Sequence, residues 1–334
     1  MAFSAPVPAR RRSAWMRWGR LLVSAALLAV LVTKINGQEL FPPHHSLPGA
    51  IAFFCGGLVV MAASFVLASW RWQRVLAVYD VHVPLRTLLK HYLAGQFIGN
   101  ALPSTVGGDV LRVSRGSRDI GSSEIAFASV VLERLTGFVA LPVLTFLGFL
   151  VRPSLFSLGR SWIAVAIGVG TLVILGVILL LAGSPRLAGR FKDHANWMRY
   201  IGIVHVGVDR LRRDRRGARA ALFAALAYQL SVVIAVYCAV HTVGLVKIPN
   251  AAVLAFVPAV AMVQVLPISV GGIGVREGTL ALLLHPLGVP TGQAVAVGLL
   301  WYMMTLLVSL AGAPAFAFGH RTAHTSTPVT AEPS

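Results

Sequence analysis

The sequence predicts an all-α polytopic membrane protein with about six full transmembrane helices and two broken, re-entrant helical hairpins in an inverted-topology repeat. Hydrophobic residues make up 57% of the 334 positions and charged residues only 12%, with a mean hydropathy of +0.78. Several apolar runs reach about 20 residues, which is the length that crosses a bilayer core. Two similar stretches, residues 102–112 and 266–276, each interrupt an apolar segment.

These two stretches read LPSTVGGDVLR and LPISVGGIGVR, so Leu, Pro, Val, the Gly pair and Arg match in register. A proline and a glycine pair interrupt a helix. Bare backbone at membrane depth persists only where protein covers it or where it lines a cavity. Duplicated broken helices therefore indicate a binding site of the kind found in transporters.

The basic residues are clustered along the chain. Most of the 29 Lys and Arg residues lie within residues 10–20, 70–91, 109–119 and 183–219. This clustering follows the positive-inside rule, so residues 1–20 are expected to form a basic cytoplasmic N-terminus and the other three stretches to face the cytoplasm as well. The same residues would attract anionic lipid head groups. The net charge of +18 is thereby explained without a nucleic-acid partner.

The first elements follow from this charge pattern. Residues 21–36 form a first span that we expect to be retained rather than cleaved. The loop 37–48 contains no Lys or Arg and is assigned outside, and residues 49–69 return to the cytoplasm. The segment that starts near Tyr92 is basic at both ends, so a hairpin entering and leaving from the cytoplasmic face fits it best. One or two ordinary crossings for each broken segment are the alternative.

The middle of the chain supplies two further spans, 123–151 outward and 161–182 back. In the basic loop 183–219 an apolar stripe recurs at helical spacing. The stripe indicates a helix that either lies on the membrane surface or packs against the bundle. It consists of Trp197, Ile201, Val204, Val208 and Leu211.

The second half repeats the first with reversed orientation. Residues 220–243 cross outward, the broken segment 251–287 starts outside, and residues 292–318 cross inward. The single membrane domain 21–318 then contains repeat halves of about 49–151 and 220–318. Residues 319–334 are expected to be a disordered cytoplasmic tail. Both termini are thus predicted on the cytoplasmic side of the inner membrane.

The repeated motif has the chemistry of an anion site. Pro103 and Pro267 loosen each helix, and the glycines permit positive φ and close backbone approach. Exposed N–H groups, hydroxyls and an arginine could then hold a phosphate. Alternatively, the glycines only let two hairpin tips pack together. The motif's candidate substrate-binding residues are Ser104, Thr105, Gly107, Gly108, Asp109, Arg112, Ser269, Gly271, Gly272, Gly274, Arg276 and Glu277.

Two further candidates, Glu133 and Arg134, lie near the middle of the span 123–151. Ionisable residues at that depth are costly and indicate function by default. Adjacent helical residues point in different directions, so each should meet a partner on a hairpin: Glu133 either Arg112 or Arg276, and Arg134 either Asp109 or Glu277. A structural network that locks the hairpins to the bundle is the alternative. Asp109 could instead cap the half-helix that follows it.

The sequence contains none of the enzyme motifs G-x-S-x-G, Walker A, H-E-x-x-H or C-x-x-C. Cys55 and Cys238 lie in apolar runs and indicate neither a disulfide nor a metal site. We therefore expect a transporter-like protein rather than an enzyme, with no catalytic residue, metal or cofactor.

The chain resembles the transmembrane region of lysylphosphatidylglycerol synthases and the stand-alone, flippase-like membrane proteins related to them. The resemblance covers about residues 20–318. It rests on Arg71, residues 96–102, the two glycine stretches, the VLERL run over 131–135 and the GGIGVREG run over 271–278. In full-length synthases this region precedes a cytoplasmic aminoacyl-transferase domain and moves aminoacylated phospholipid to the outer leaflet. The resemblance implies a stand-alone member that lacks the transferase domain.

Three functions remain open at this point. The first is a lipid translocase for an anionic or aminoacylated phospholipid, or another lipid-linked head group. The others are a membrane-embedded lipid transferase and an accessory or scaffold protein of a lipid-biosynthesis pathway. The expected partners are membrane lipids, with a lipid-biosynthesis enzyme and a second copy of the chain as further candidates.

Overall fold

The computed structural model of the chain describes residues 46–101, 107–182, 198–266, 269 and 271–318. Within these ranges the protein is built from α-helices and contains no strand. The predicted first span 21–36 and the predicted tail 319–334 lie outside the described residues. In chain order the helices are α1 (Leu47–Ala77), α2 (Leu85–Ala101), α3 (Gly107–Ile120), α4 (Ser123–Val151), α5 (Trp162–Ala182), α6 (Met198–Arg213), α7 (Arg215–Thr242), α8 (Asn250–Gln264), α9 (Val275–Leu284), α10 (Thr291–Ser309) and α11 (Gly312–Phe318).

Five of these helices, α1, α4, α5, α7 and α10, are long and apolar enough to cross a membrane. They correspond to five of the predicted spans, and α4 has the predicted bounds. The all-α polytopic membrane fold is thereby confirmed. The number of spans, the inverted repeat and the orientation of the chain stay predictions.

The predicted span 292–318 is two helices rather than one. Helix α10 ends at Ser309, and α11 begins at Gly312. A side chain at position 312 would overlap the backbone of Leu93, so this glycine lets α11 pack directly on α2. Arg115 then donates from its two terminal nitrogens to the Ala315 and Phe316 carbonyls, both at 2.8 Å. These carbonyls belong to the last turn of α11, where helical partners are missing.

The first broken segment forms an antiparallel helical hairpin. Gly99 of α2 lies beside Gly108 of α3, Gly95 lies beside Arg112, and His91 contacts Asp119 at 2.6 Å. Residue numbers that decrease along α2 thus pair with residue numbers that increase along α3, so the two helices are antiparallel. The two backbones touch because neither Gly95 nor Gly108 has a side chain at the crossing.

The second broken segment is interrupted by a glycine turn. Gly271, Gly272 and Gly274 have φ values of 61°, 77° and 85°, in the left-handed region that favours glycine. The Glu277 side chain accepts a hydrogen bond from the Gly274 backbone N–H at 2.6 Å, which caps the start of α9. The motif therefore ends one half-helix and begins the next.

Helix α8 is buried on nearly all sides. At Gly148 of α4 a side chain would strike the Ala255 backbone, so the two helices pack at very short distance. Small residues at such crossings are the usual basis of helix association in membranes. The core around α8 includes Phe256 from α8, Phe149 from α4 and Val236 from α7.

Helix α6 packs against the bundle, which is the second of the two alternatives for the apolar stripe. Val208 is buried together with Leu132 of α4 and Tyr79. The Tyr79 hydroxyl donates to the Ile203 carbonyl at 3.1 Å, and burial raises the pKa of this phenol above its usual value, so it stays protonated. Arg210 adds a 2.7 Å ion pair with Asp80.

Candidate functional site

A cavity of about 320 Å³ lies among α1, the α2–α3 hairpin, α4, α7, the α8–α9 turn and α10. Four arginines and two carboxylates line it, and they come from four helices, α1, α3, α4 and α9. They are Arg71, Asp109, Arg112, Glu133, Arg134 and Arg276. The site is thus assembled by the tertiary fold from residues that are far apart in the sequence.

Glu133 is the centre of the charged wall. Its side chain is 1% exposed, and each carboxylate oxygen accepts from a different arginine. Arg71 donates from Nε to Oε1 at 2.9 Å and also from Nη2 to the same oxygen. Arg112 donates from Nη2 to Oε2 at 2.9 Å. This carboxylate therefore joins α1, α4 and the hairpin helix α3.

The two arginines are also held by aromatic rings. The Arg71 guanidinium lies 4.6 Å from the centre of the Tyr228 ring. The Arg112 guanidinium lies between Trp72 and Tyr92, at 4.4 and 4.8 Å. Such stacking favours the cation while leaving N–H groups free at the edge of the guanidinium plane.

Arg134 points away from Glu133 and pairs with Asp109. Its Nε donates to Asp109 Oδ2 at 2.5 Å, and its terminal Nη2 contacts the same oxygen. The other oxygen of Asp109 lies 3.5 Å from Arg112 Nη1. Of the predicted partner choices, the structure contains Glu133 with Arg112 and Arg134 with Asp109. Asp109 bridges two arginines, although it also lies in the first turn of α3.

Arg276 forms a second charged centre in the cavity lining. It donates from Nε and Nη2 to Glu277 Oε1, at 3.0 and 2.7 Å. Its guanidinium lies 5.7 Å from the Trp301 ring and 5.1 Å from the Tyr302 ring. Arg276 lines the cavity, whereas Glu277 stands behind it and is fully buried.

The repeated glycines have different roles in the two motifs. Gly107 and Gly108 begin helix α3. Gly108 is needed for the close crossing with Gly95, not for a turn with positive φ. Gly271 has positive φ and lines the cavity. The packing interpretation thus fits the first pair and the turn interpretation fits the second.

The remaining predicted residues are placed as follows. Ser269 is buried without a hydrogen-bond partner among the described residues, and Gly272 packs on Gln264. Ser104 and Thr105 lie outside the described residues, as do Pro103 and Pro267. A substrate-binding role for each of the predicted site residues stays a prediction.

Sequence reasoning missed several residues of the cavity wall. Arg71 was interpreted as a cytoplasmic residue, yet it is 5% exposed at the centre of the site. The missed signal was helical spacing, because Arg71 continues the buried series Ser64, Ala68 and Val75 instead of facing outward. The aromatic residues Tyr92, Tyr228, Trp301 and Tyr302 were also missed, because nothing in their local sequence links them to an arginine.

Comparison with known proteins identifies a family that the chain matches. The family model described as "Lysylphosphatidylglycerol synthase TM region" matches residues 17–312, which include both broken segments and every cavity-lining residue. The suspected resemblance is thereby confirmed. No curated protein and no solved structure matches the chain.

Proposed function

We propose that this chain, which belongs to the lysylphosphatidylglycerol synthase TM region family, is a lipid translocase. Its cargo would be an anionic or aminoacylated phospholipid, or another lipid-linked head group. Family membership indicates a membrane protein linked to lipid handling. The step to translocation rests on one observation, the polar, arginine-rich cavity inside an otherwise apolar helical bundle.

The electrostatics of this cavity suit a phosphate. Even when Glu277, which pairs with Arg276 from behind the wall, is counted, four arginines face three carboxylates and leave the site with a net positive charge. Placing such charges among apolar helices is costly, and proteins keep them there where they serve a pathway or a binding site. A phosphate head group would supply the missing negative charge and accept bidentate hydrogen bonds from a guanidinium.

The hairpins supply a route into the cavity. Helices α2 and α3 form one wall, and the α8–α9 turn contributes Gln264, Val265 and Gly271 to another. A head group could enter between these two elements while its acyl or prenyl chains remain in the bilayer. The basic stretches assigned to the cytoplasm would concentrate anionic lipid at the entrance.

Reconstitution tests this proposal. Purified protein is placed in liposomes containing trace lipids with a fluorescent acyl chain, and dithionite reports how much fluorophore reaches the outer leaflet. We expect loss of protection beyond that of empty vesicles. Arg71→Gln should abolish the effect, whereas Arg74→Gln should retain it, because Arg74 lies three residues along the same helix but outside the cavity.

A second pair of variants separates transport from folding. Val265→Trp places bulk at the cavity wall without touching an ion pair, and Val246→Trp places the same bulk at an exposed site outside it. Only the first should block lipid movement, with both proteins monodisperse by size-exclusion chromatography. Protection identical to empty vesicles for every lipid tried would refute translocation and favour the scaffold or transferase alternative.

A further inference from the structure

The unpartnered polar atoms of the cavity wall are hydrogen-bond donors. Among the described residues, the buried side-chain nitrogens that lack a partner are Arg71 Nη1, Asn100 Nδ2 and Arg112 Nε, and all three residues line the cavity. Arg71 and Arg112 are each 5% exposed. A buried donor without an acceptor is costly, so this wall is suited to a ligand that brings acceptors.

The carboxylates of the site, in contrast, are already engaged. Both oxygens of Glu133 accept from arginines, and both oxygens of Asp109 face arginines. Glu277 accepts from Arg276 with one oxygen and from the Gly274 N–H with the other. Among these three acids, every carboxylate oxygen already faces an arginine or a backbone N–H, so an ammonium group would have to compete with these donors.

The tyrosine and tryptophan rings that line the cavity are engaged as well. An ammonium group can also be bound over the face of a Tyr or Trp ring. In this cavity, however, arginine guanidinium groups already lie over Tyr228, Tyr92, Trp301 and Tyr302. An incoming ammonium would meet guanidinium groups at the positions where it needs an anion or a ring.

We propose that the cavity selects lipids whose head group is a phosphate ester without a primary amine, and that it discriminates against lipids carrying an ammonium group. This inference rests on the proposed function and narrows its cargo, because it removes aminoacylated phospholipid from the candidates. The recognised chemistry is an anionic phosphate with further hydrogen-bond acceptors. An ammonium group carries three donors and no acceptor, so beside the phosphate it would face like charge and offer no acceptor to the remaining arginine N–H groups.

A graded series of head groups tests the selectivity in the same liposomes. The fluorescent probes are phosphatidylglycerol, phosphatidylethanolamine and lysylphosphatidylglycerol, which share the phosphodiester and differ in amines. We expect phosphatidylglycerol to move about tenfold faster or more than lysylphosphatidylglycerol, with phosphatidylethanolamine between them. Equal rates for the three would overturn the selectivity and leave translocation standing. No movement of any probe would overturn both.

A single added carboxylate provides a test that does not weaken the fold. Gln229 lines the cavity near Arg71: a methyl group on Gly137 would lie 2.9 Å from Arg71 Nη1 and 3.8 Å from Gln229 Nε2. Gln229→Glu would therefore place a carboxylate in the neighbourhood of the unpartnered Arg71 nitrogen. We expect a higher unfolding temperature together with about tenfold slower phosphatidylglycerol movement.

The matched control is Asn250→Asp, which makes the same amide-to-carboxylate change at an exposed position outside the cavity. It should leave the rates and their order unchanged. If Gln229→Glu moved phosphatidylglycerol as fast as the parent protein, free donors would not be what holds the head group. Uptake of radiolabelled glycerol 3-phosphate without lipid movement would identify a soluble phosphate ester as the cargo and would also overturn the proposal.

Discussion

Glu133 sets the energetics of the site because it is the only anion shared by Arg71 and Arg112 among the described residues. Both arginines are nearly shielded from solvent, so Arg71 depends on this carboxylate, and Arg112 depends on it together with a longer contact to Asp109. A buried ion pair adds little stability compared with apolar packing, but breaking one partner leaves an uncompensated charge. Glu133 therefore fixes the arrangement of three helices whether or not it also contacts cargo.

Removing the charge of Glu133 should consequently destabilise the protein more than removing a balanced pair. We expect Glu133→Gln to cost about 3–5 kcal/mol, because Arg71 then loses the carboxylate it pairs with and Arg112 keeps only its 3.5 Å contact with Asp109. The double variant with Arg71→Gln should recover part of that loss, since one cation is removed with the anion. Unfolding temperatures in detergent for both single variants and the double variant give the coupling free energy. A double variant no more stable than Glu133→Gln alone would contradict this account.

At the residue scale, the sequence predicted charged partners better than it predicted their surroundings. The depth of Glu133 and Arg134 within a long apolar run was enough to require partners on the hairpins, and one of the two choices for each proved correct. Arg71 was missed because a basic residue at the end of a span follows the positive-inside pattern equally well. The helical spacing of Arg71 from Ala68 and Ser64 favours the buried interpretation, and the packing of α1 in the bundle decides it.

At the scale of elements, the crossing of α2 and α3 depends on two glycines. A side chain at Gly108 would overlap the Gly95 carbonyl oxygen, and one at Gly95 would lie 2.9 Å from the Gly108 carbonyl oxygen. Backbone atoms cannot rotate aside as a flexible side chain can, so the helices would have to separate. That separation would also move Arg112 away from Glu133.

Gly108→Ala should therefore destabilise the hairpin by about 1–3 kcal/mol, the usual cost of overpacking. Gly99→Ala is the control for stability, because its new carbon would lie 3.8 Å from the Gly108 Cα, at ordinary contact distance. Thermal unfolding followed by size-exclusion chromatography compares the two proteins. Equal unfolding temperatures would show that the close approach of the hairpin helices is not needed.

The existence of the long helices was more predictable than their ends. Long apolar runs predicted α4 and α5 closely, whereas α1 continues to Ala77 beyond the predicted 49–69 and α7 begins at Arg215, before the predicted 220–243. The division between α10 and α11 was missed inside a continuous apolar run, although Gly312 and Pro314 stand where α11 begins. Proline is tolerated in the first turn of a helix, so this pair was a usable signal for a new start.

At the scale of the whole molecule, the two motifs are similar in sequence but not in detailed conformation. The first breaks into two helices that cross at glycines, and the second turns through three glycines with positive φ. A duplicated motif can diverge in this way while both copies still bring an arginine to one cavity. Arg112 and Arg276 hold the same position in their motifs, and both line the cavity. The repetition thus predicted that both motifs contribute to one place in the fold, but it did not predict the different conformations of their two turns.

The predicted inverted arrangement of the two hairpins implies that their outer ends lie on opposite sides of the membrane. Ser117, near the end of α3, should face the cytoplasm, and His285, just after α9, should face outside. His285 is a better labelling position than Gly288, because Gly288 has a φ of 78° and a cysteine there would be strained.

Ser117→Cys and His285→Cys are each placed in a chain carrying Cys55→Ala and Cys238→Ala. An impermeant maleimide should label position 285 only in right-side-out vesicles and position 117 only in inside-out vesicles. Labelling of both positions from one side would mean that the hairpins enter from the same face, and a cavity reached alternately from the two leaflets would then lose its structural basis.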